Sequence, residues 1–181
     1  MIEETIIEKY ARIRPSLKTG DLILFEGVKV ISNFIRESDD CEYTHIGIIL
    51  NVLGTLFIID SNRNGVQPSR LSERISQYKG GDFIVKRAIK SEHEIKTELA
   101  LILKNTDRVI KYDFKNGAKS LINRYFKTKL KIETVDDRMI CSEFVKPYAM
   151  KLEMIFLVSL RNSLFFPQDF IRYENSTFTI K

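Results

Sequence analysis

The sequence predicts an α+β fold, on three observations. Apolar runs of strand length crowd into residues 21–60 and 83–88, and stretches of helical periodicity flank them. No linker, internal repeat or low-complexity segment divides the 181 residues, so one domain spanning 1–181 is expected, long enough to bury a core.

The elements follow in order. "EETIIEKYARI" (3–13) carries apolar residues at helical spacing and opens the chain as a helix. A turn at Thr19-Gly20 precedes a short strand from Asp21 to Phe25. "VKVISNFIRES" (28–38) returns to helical periodicity. "YTHIGIIL" (43–50) and "TLFIID" (55–60) are β-rich runs separated by "NVLG", a hairpin signal, and "SNRNG" (61–65) closes the second run as a polar turn.

"SRLSERISQY" (69–78) reads as a short helix capped by Ser69 or Ser72. "GGDFIVKRA" (80–88) is a strand after a Gly-Gly break. "SEHEIKTELALILKNT" (91–106) opens with the capping-box pair Ser91 and Glu94 and continues as an amphipathic helix. "DFKNGAKSLINRYF" (113–126) is helical beyond its glycine, and "CSEFVKPYAMKL" (141–152) is a further helix. The tail "FPQDFIRYENSTFTI" (166–180) gives a turn, a short helical turn and a last strand.

Composition excludes several classes. The hydrophobic content of 44% excludes a disordered chain. No run approaches the roughly 20 apolar residues of a membrane span; the longest candidate, "MIFLVSL" (154–160), stops at Arg161. The acidic amino terminus lacks the features of a secretory signal, so a cytoplasmic protein with no integral membrane segment is expected. Two cysteines, Cys41 and Cys141, make no disulfide scaffold, and no CxxC or HxxxH pair completes a metal-ligand set, so neither metal nor cofactor is expected. A net charge of +5 includes an acid-free basic run over 115–131, either a solvated face or a patch for an anionic substrate or surface. No motif of nucleic-acid recognition accompanies it, so no nucleic acid is expected as a partner.

The chemistry centres on two residues. Strand alternation puts His45, Gly47 and Ile49 on one face of "THIGIIL". A buried imidazole without a partner costs about 1–3 kcal/mol, so a partner must exist. With the hairpin turning at Val52–Gly54, Asp60 falls opposite His45 or one pair away, and Asn62 lies on the same face; either can fix the imidazole tautomer. Gly47 leaves room for a backbone or ligand to approach. Phe144, Val145, Tyr148, Ala149 and Leu152 form a helical stripe, which starts the helix near Cys141. A thiol at a helix amino terminus feels unsatisfied N–H groups that favour thiolate and can bind an oxyanion. A satisfied structural histidine and a core cysteine remain the alternatives.

Five segments in order, "LKTGDLILFEG", "YTHIGIIL", "FIIDSNRNGVQPSRL", "YDF" (112–114) and "MICSEFV", with "FPQDF" as a sixth, cover residues 17–170. Together they resemble the circularly permuted NlpC-type papain-like cysteine hydrolases, in particular the YiiX-like branch, in which the histidine precedes the cysteine. The resemblance implies a permuted papain-like fold, a central antiparallel sheet or barrel packed against helices. It also implies Cys141 as nucleophile, His45 as general base and acid, and Asp60 as the residue that orients His45, where relatives often have Glu. Tyr43 and Tyr112 match recurring aromatic positions and, with Asn62, are the candidates for lining the pocket or assisting the oxyanion. Pro147 departs from a regular helix interior and is expected to kink it.

The expected function is a thiol hydrolase cleaving an amide or ester bond of a small-molecule, peptide or lipid-like substrate. Relatives of the lecithin retinol acyltransferase kind keep open an acyltransferase with the same dyad; residues 154–160 and 164–166 are read first as core packing, with the walls of an acyl groove as the alternative. A non-catalytic binding module on the same fold is the third alternative. Loops 61–70 and 105–115 are expected to shape the pocket.

Overall fold

Strand-forming runs pair as the alternation of their apolar residues requires. The computed structural model describes residues 4–26, 42–62, 64–78, 81–105, 111–112, 119, 131, 138–155 and 165–180. Helix α1 (Ile6–Ile13) is followed by a 3-10 turn at Arg14–Ser16 and by strands β1 (Leu22–Glu26), β2 (Tyr43–Val52), β3 (Thr55–Asn62) and β4 (Gly65–Arg70). Helix α2 (Leu71–Ser76), β5 (Phe83–Ala88), α3 (Glu92–Asn105), β6 (Lys111–Tyr112) and β7 (Arg138–Met139) come next. Helix α4 (Cys141–Lys151), α5 (Pro167–Arg172) and β8 (Thr177–Ile180) complete the described elements.

Six strands form an open sheet in the order β4-β3-β2-β1-β5-β8, every neighbouring pair antiparallel. Its two faces carry separate apolar cores. Ile23, Phe25, Ile49 and Ile58 pack beneath α1 and α2. Leu22, Leu24, Ile46 and Ile48 pack beneath α3 and α4. This is an α+β architecture of one antiparallel sheet with helices on both sides. No described helix is long and apolar enough to cross a membrane.

Local chemistry sets the boundaries. Ser91 and Glu94 form the expected capping box, the Ser91 N–H donating to Glu94 Oε2 at 2.9 Å and the Glu94 N–H to Ser91 Oγ at 3.3 Å. Gly20 has φ of +93°, and a Cβ there would meet Ile95 Cγ2 at 2.1 Å and the Tyr148 hydroxyl at 2.5 Å. The same hydroxyl donates to the Gly20 carbonyl at 2.8 Å and ties α4 to the turn before β1.

Several expectations need correction. Residues 65–70, expected as loop, form edge strand β4, with Pro68 opposite Ile59. Pro is admissible there because an edge strand leaves one side of its backbone unpaired. Neither Ser69 nor Ser72 caps α2: the N-cap is Arg70 without a side-chain cap, and Ser69 is held in the ladder opposite Ile58. Helix α4 continues across Pro147, whose ring is exposed.

Met154, Ile155, Phe165 and Phe166, the described residues of the two runs that could wall an acyl groove, are core residues at 0–7% exposure. The helix at 28–38, Cys41, most of 113–126 and residues 156–164 lie outside the described residues. So does the basic run 115–131, except for Lys119 and Lys131; Lys119 Nζ donates to the Lys131 carbonyl at 2.9 Å.

Candidate functional site

His45 is the third residue of β2 and stands opposite Phe25 of β1. Its ring centroid is 6.1 Å from that of Phe25 and 6.2 Å from that of Tyr78, which stacks on Phe25 at 4.4 Å. Ile48 pairs with Ile59, so continuing the register sets Gly47 against Asp60 and His45 against Asn62. Asp60 therefore reaches His45 on the diagonal of the ladder, with Nε2 and Oδ2 separated by 2.7 Å. Gly47 provides no ligand opening. A Cβ there would lie 2.6 Å from both Cγ1 and Cδ1 of Ile58, whose side chain fills the space.

Asp60 is fully buried, and its charge is met from three sides. Besides His45, Asn62 Nδ2 donates to Oδ1 at 3.1 Å and Arg74 Nη2 donates to the same oxygen at 3.0 Å. Arg74 Nε lies 2.9 Å from Oδ2, but its N–H is not aimed at that oxygen and is left without a hydrogen-bond partner. Burial works against a charged carboxylate here. The hydrogen bond and charge of His45, the charge of Arg74 and the Asn62 amide outweigh it, and the Asp60 pKa is held below its ordinary value. Asn62 thus braces Asp60 and does not contact the imidazole in its place.

Cys141 is the first residue of α4, a free thiol at 3% exposure behind an extended N-cap, Ile140. The first helical hydrogen bond runs from the Phe144 N–H to the Ile140 carbonyl at 3.2 Å, so the N–H groups of residues 141–143 have no partner within the helix. Cys141 lies near enough to His45, where β2 begins, to act on the imidazole's protonation. With Nε2 directed at Asp60, Nδ1 is the ring nitrogen left for the sulfur.

Burial disfavours charge on His45. The negative charges that Tyr78 and Cys141 carry when ionised, with the hydrogen bond to Asp60 and the nearby Cys141 sulfur, overcome it and hold the His45 pKa well above its ordinary value.

The chain entering "FPQDF", residues 165–168, braces this meeting. Ser142 Oγ donates to the Phe165 carbonyl, and the Phe165 N–H donates to Glu143 Oε1 at 2.6 Å. Gln168 Oε1 accepts from the Glu42 and Tyr43 N–H groups at 3.1 and 3.3 Å. One short segment thereby joins the first turn of α4 to the start of β2.

The two tyrosines read from sequence fare differently. Tyr43 packs against the α4-side core, and burial followed by the carboxylates of Glu42, Asp82 and Glu26 pushes its phenol up to about 12. That acidic setting is poorly suited to an oxyanion. Tyr112 has its backbone paired with Met139 in β6–β7, but its side chain lies outside the described residues. Arg74 and Tyr78 were missed by sequence reasoning. Their signal was present: Leu71 and Ile75 mark the buried stripe of α2, Tyr78 continues its spacing just beyond the helix, and Arg74 falls beside it, where a charge needs a partner.

No protein-family model and no curated protein match the chain. Among solved structures it is similar to YiiX of Escherichia coli O157:H7, described as a metalloprotein of DUF1105, with a TM-score of 0.67 and 19% identity over 91% of this chain and 96% of that one. The fold is therefore YiiX-like. A metal fits the described donors poorly. Asp60 is committed to His45, Asn62 and the Arg74 cation, which leaves His45 Nδ1 and the Cys141 sulfur. No group of three or more His, Cys, Asp or Glu among the described residues is placed to hold an ion.

Proposed function

We propose that the protein is a thiol hydrolase on a circularly permuted, NlpC-type papain-like fold, cleaving an amide or ester bond of a small-molecule, peptide or lipid-like substrate. The observation that carries this reading is the placement of His45, with Nε2 2.7 Å from a fully buried Asp60, its other nitrogen left free of Asp60, and Cys141 at the head of α4 near enough to act on the imidazole. A nucleophile, a base and a residue that orients the base are what acyl transfer requires.

In the first half-reaction the Cys141 thiolate attacks the carbonyl carbon and forms a C–S bond, while the carbonyl oxygen becomes an oxyanion. First-turn N–H groups of α4 are donors suited to receive it. The tetrahedral intermediate collapses, the C–N or C–O bond breaks, and His45 gives its Nδ1 proton to the leaving amine or alcohol. A water then adds to the thioester, neutral His45 takes its proton, and the acid leaves with the sulfur restored as thiolate and His45 as imidazolium. Asp60 keeps Nε2 protonated throughout.

The test is the iodoacetamide alkylation rate of Cys141, read by mass spectrometry from about pH 4 to about pH 10, in the wild type and in His45→Ala. Fast alkylation of Cys141 in the acid range that disappears in the variant is the expected result. A Cys141 that is inert, or that reacts identically in the two proteins, removes the nucleophile from the proposal.

A further inference from the structure

The Asp60 carboxylate is shared between two cations in an unequal way. Arg74, with a side chain only 12% exposed, stands over both carboxylate oxygens. Its Nη2 donates to Oδ1 at 3.0 Å and its Nη1 to Gln77 Oε1 at 2.8 Å. Nε is 2.9 Å from Oδ2 yet misaligned, because Oδ2 is turned toward His45 Nε2 at 2.7 Å. Arg–carboxylate pairs frequently close as a fork, with two aligned N–H groups. Here the fork is left half open and a second base shares the anion.

The charges explain the sharing. Arg74 and a protonated His45 contribute two positive charges, Asp60 one negative. The fourth charged position is the Cys141 sulfur, and as a thiolate it makes the set neutral. Tyr78 is another titratable side chain facing the set; burial raises its phenol, so it stays uncharged in the acid range. Asn62, Gln77 and Ser69 are the uncharged partners. Without Arg74 the same protonation state would carry one uncompensated negative charge in a largely dry space, and it would relax by taking up a proton.

We infer that Arg74 is a positioning residue of the hydrolase site, the fourth charge that allows Cys141 to rest as a thiolate beside a protonated His45. The inference rests on the proposed role of Cys141. With Arg74 neutralised the extra proton goes to the sulfur, since Asp60 retains its hydrogen bonds from His45 and Asn62.

Arg74→Gln removes the charge and retains amide donors, and Arg74→Lys retains the charge. The readout is the Cys141 alkylation rate at about pH 6 and about pH 10. Arg74→Gln is expected to lose about tenfold at the lower pH, the effect of a one-unit rise in the thiol's pKa, and to match the wild type at the higher. Arg74→Lys keeps the charge though not the second donor to Gln77, and is expected to retain most of the wild-type rate at both.

An unchanged rate at about pH 6 in Arg74→Gln, or an equal loss at both values, overturns the inference. Should Arg74→Gln not fold, by circular dichroism, Arg74→Lys decides: a selective loss in the acid range there overturns it too. A wild type without fast, His45-dependent alkylation instead overturns the hydrolase reading, and this inference with it.

Discussion

At the scale of single residues, Asp60 is where the candidate site converges. Its buried carboxylate accepts from His45, Asn62 and Arg74, so charge and shape can be separated by substitution. Asp60→Asn preserves the volume but leaves Arg74 without its buried counter-charge. Breaking a buried ion pair from one side costs about 3–5 kcal/mol. Asn62→Ala deletes one hydrogen bond to a charged group, about 1.5–3 kcal/mol. The urea midpoint should fall further in Asp60→Asn than in Asn62→Ala, and equal losses would show that the Arg74 charge is not felt at Asp60. The pairing of His45 with Asp60 was legible because strand alternation and a short turn fix the register. The role of Arg74 was not, because it depends on where α2 lands on the sheet, a tertiary fact that periodicity leaves open.

Elements were legible where one local signal dominated and obscure where two competed. The β2–β3 hairpin was readable from Gly54, and it closes with Val52 opposite Thr55. Its two turn residues both have positive φ, +50° at Leu53 and +83° at Gly54, as the tightest hairpins require. Leu53 is an unsuitable residue for that conformation, and its side chain is fully exposed, so nothing in the core rewards it. Replacing it with Asn, which tolerates the left-handed region, is expected to stabilise the protein by about 1 kcal/mol. A urea midpoint that does not rise in Leu53→Asn would show that the strain is relieved elsewhere. Strand β4 failed to announce itself because Pro68 argues against a strand, and only its edge position makes the residue acceptable. The α4 boundary was readable from its buried stripe, which places Cys141 at the first helical position.

At the scale of the molecule, clustering of strand signals was enough for the α+β class, but strand order was not. β1 is inserted between β2 and β5, and the sequence says nothing of that pairing beyond the family resemblance. Bringing Cys141 to His45 is likewise non-local, since α4 covers one face of the sheet while His45 lies with Phe25 and Tyr78 toward the other. The contact links folding to protonation. Asp60 has a depressed pKa in the folded protein, so it adds stability above its unfolded value of about 4, lost as pH falls through the folded value. His45 has a raised pKa, so its contribution is complete below its unfolded value of about 6.5 and is lost as pH rises from there through the folded value. The two together predict greatest stability between about pH 4 and about pH 6.5, with an alkaline decline that belongs to the imidazole. Thermal melts of the wild type should show Tm falling above about pH 6.5, and His45→Ala should flatten that limb while keeping the acid one, since Arg74 and Asn62 still hold Asp60 ionised. If the variant kept the full alkaline decline, the proton lost on that limb would come from another group, and His45 would not be held charged by the groups around it.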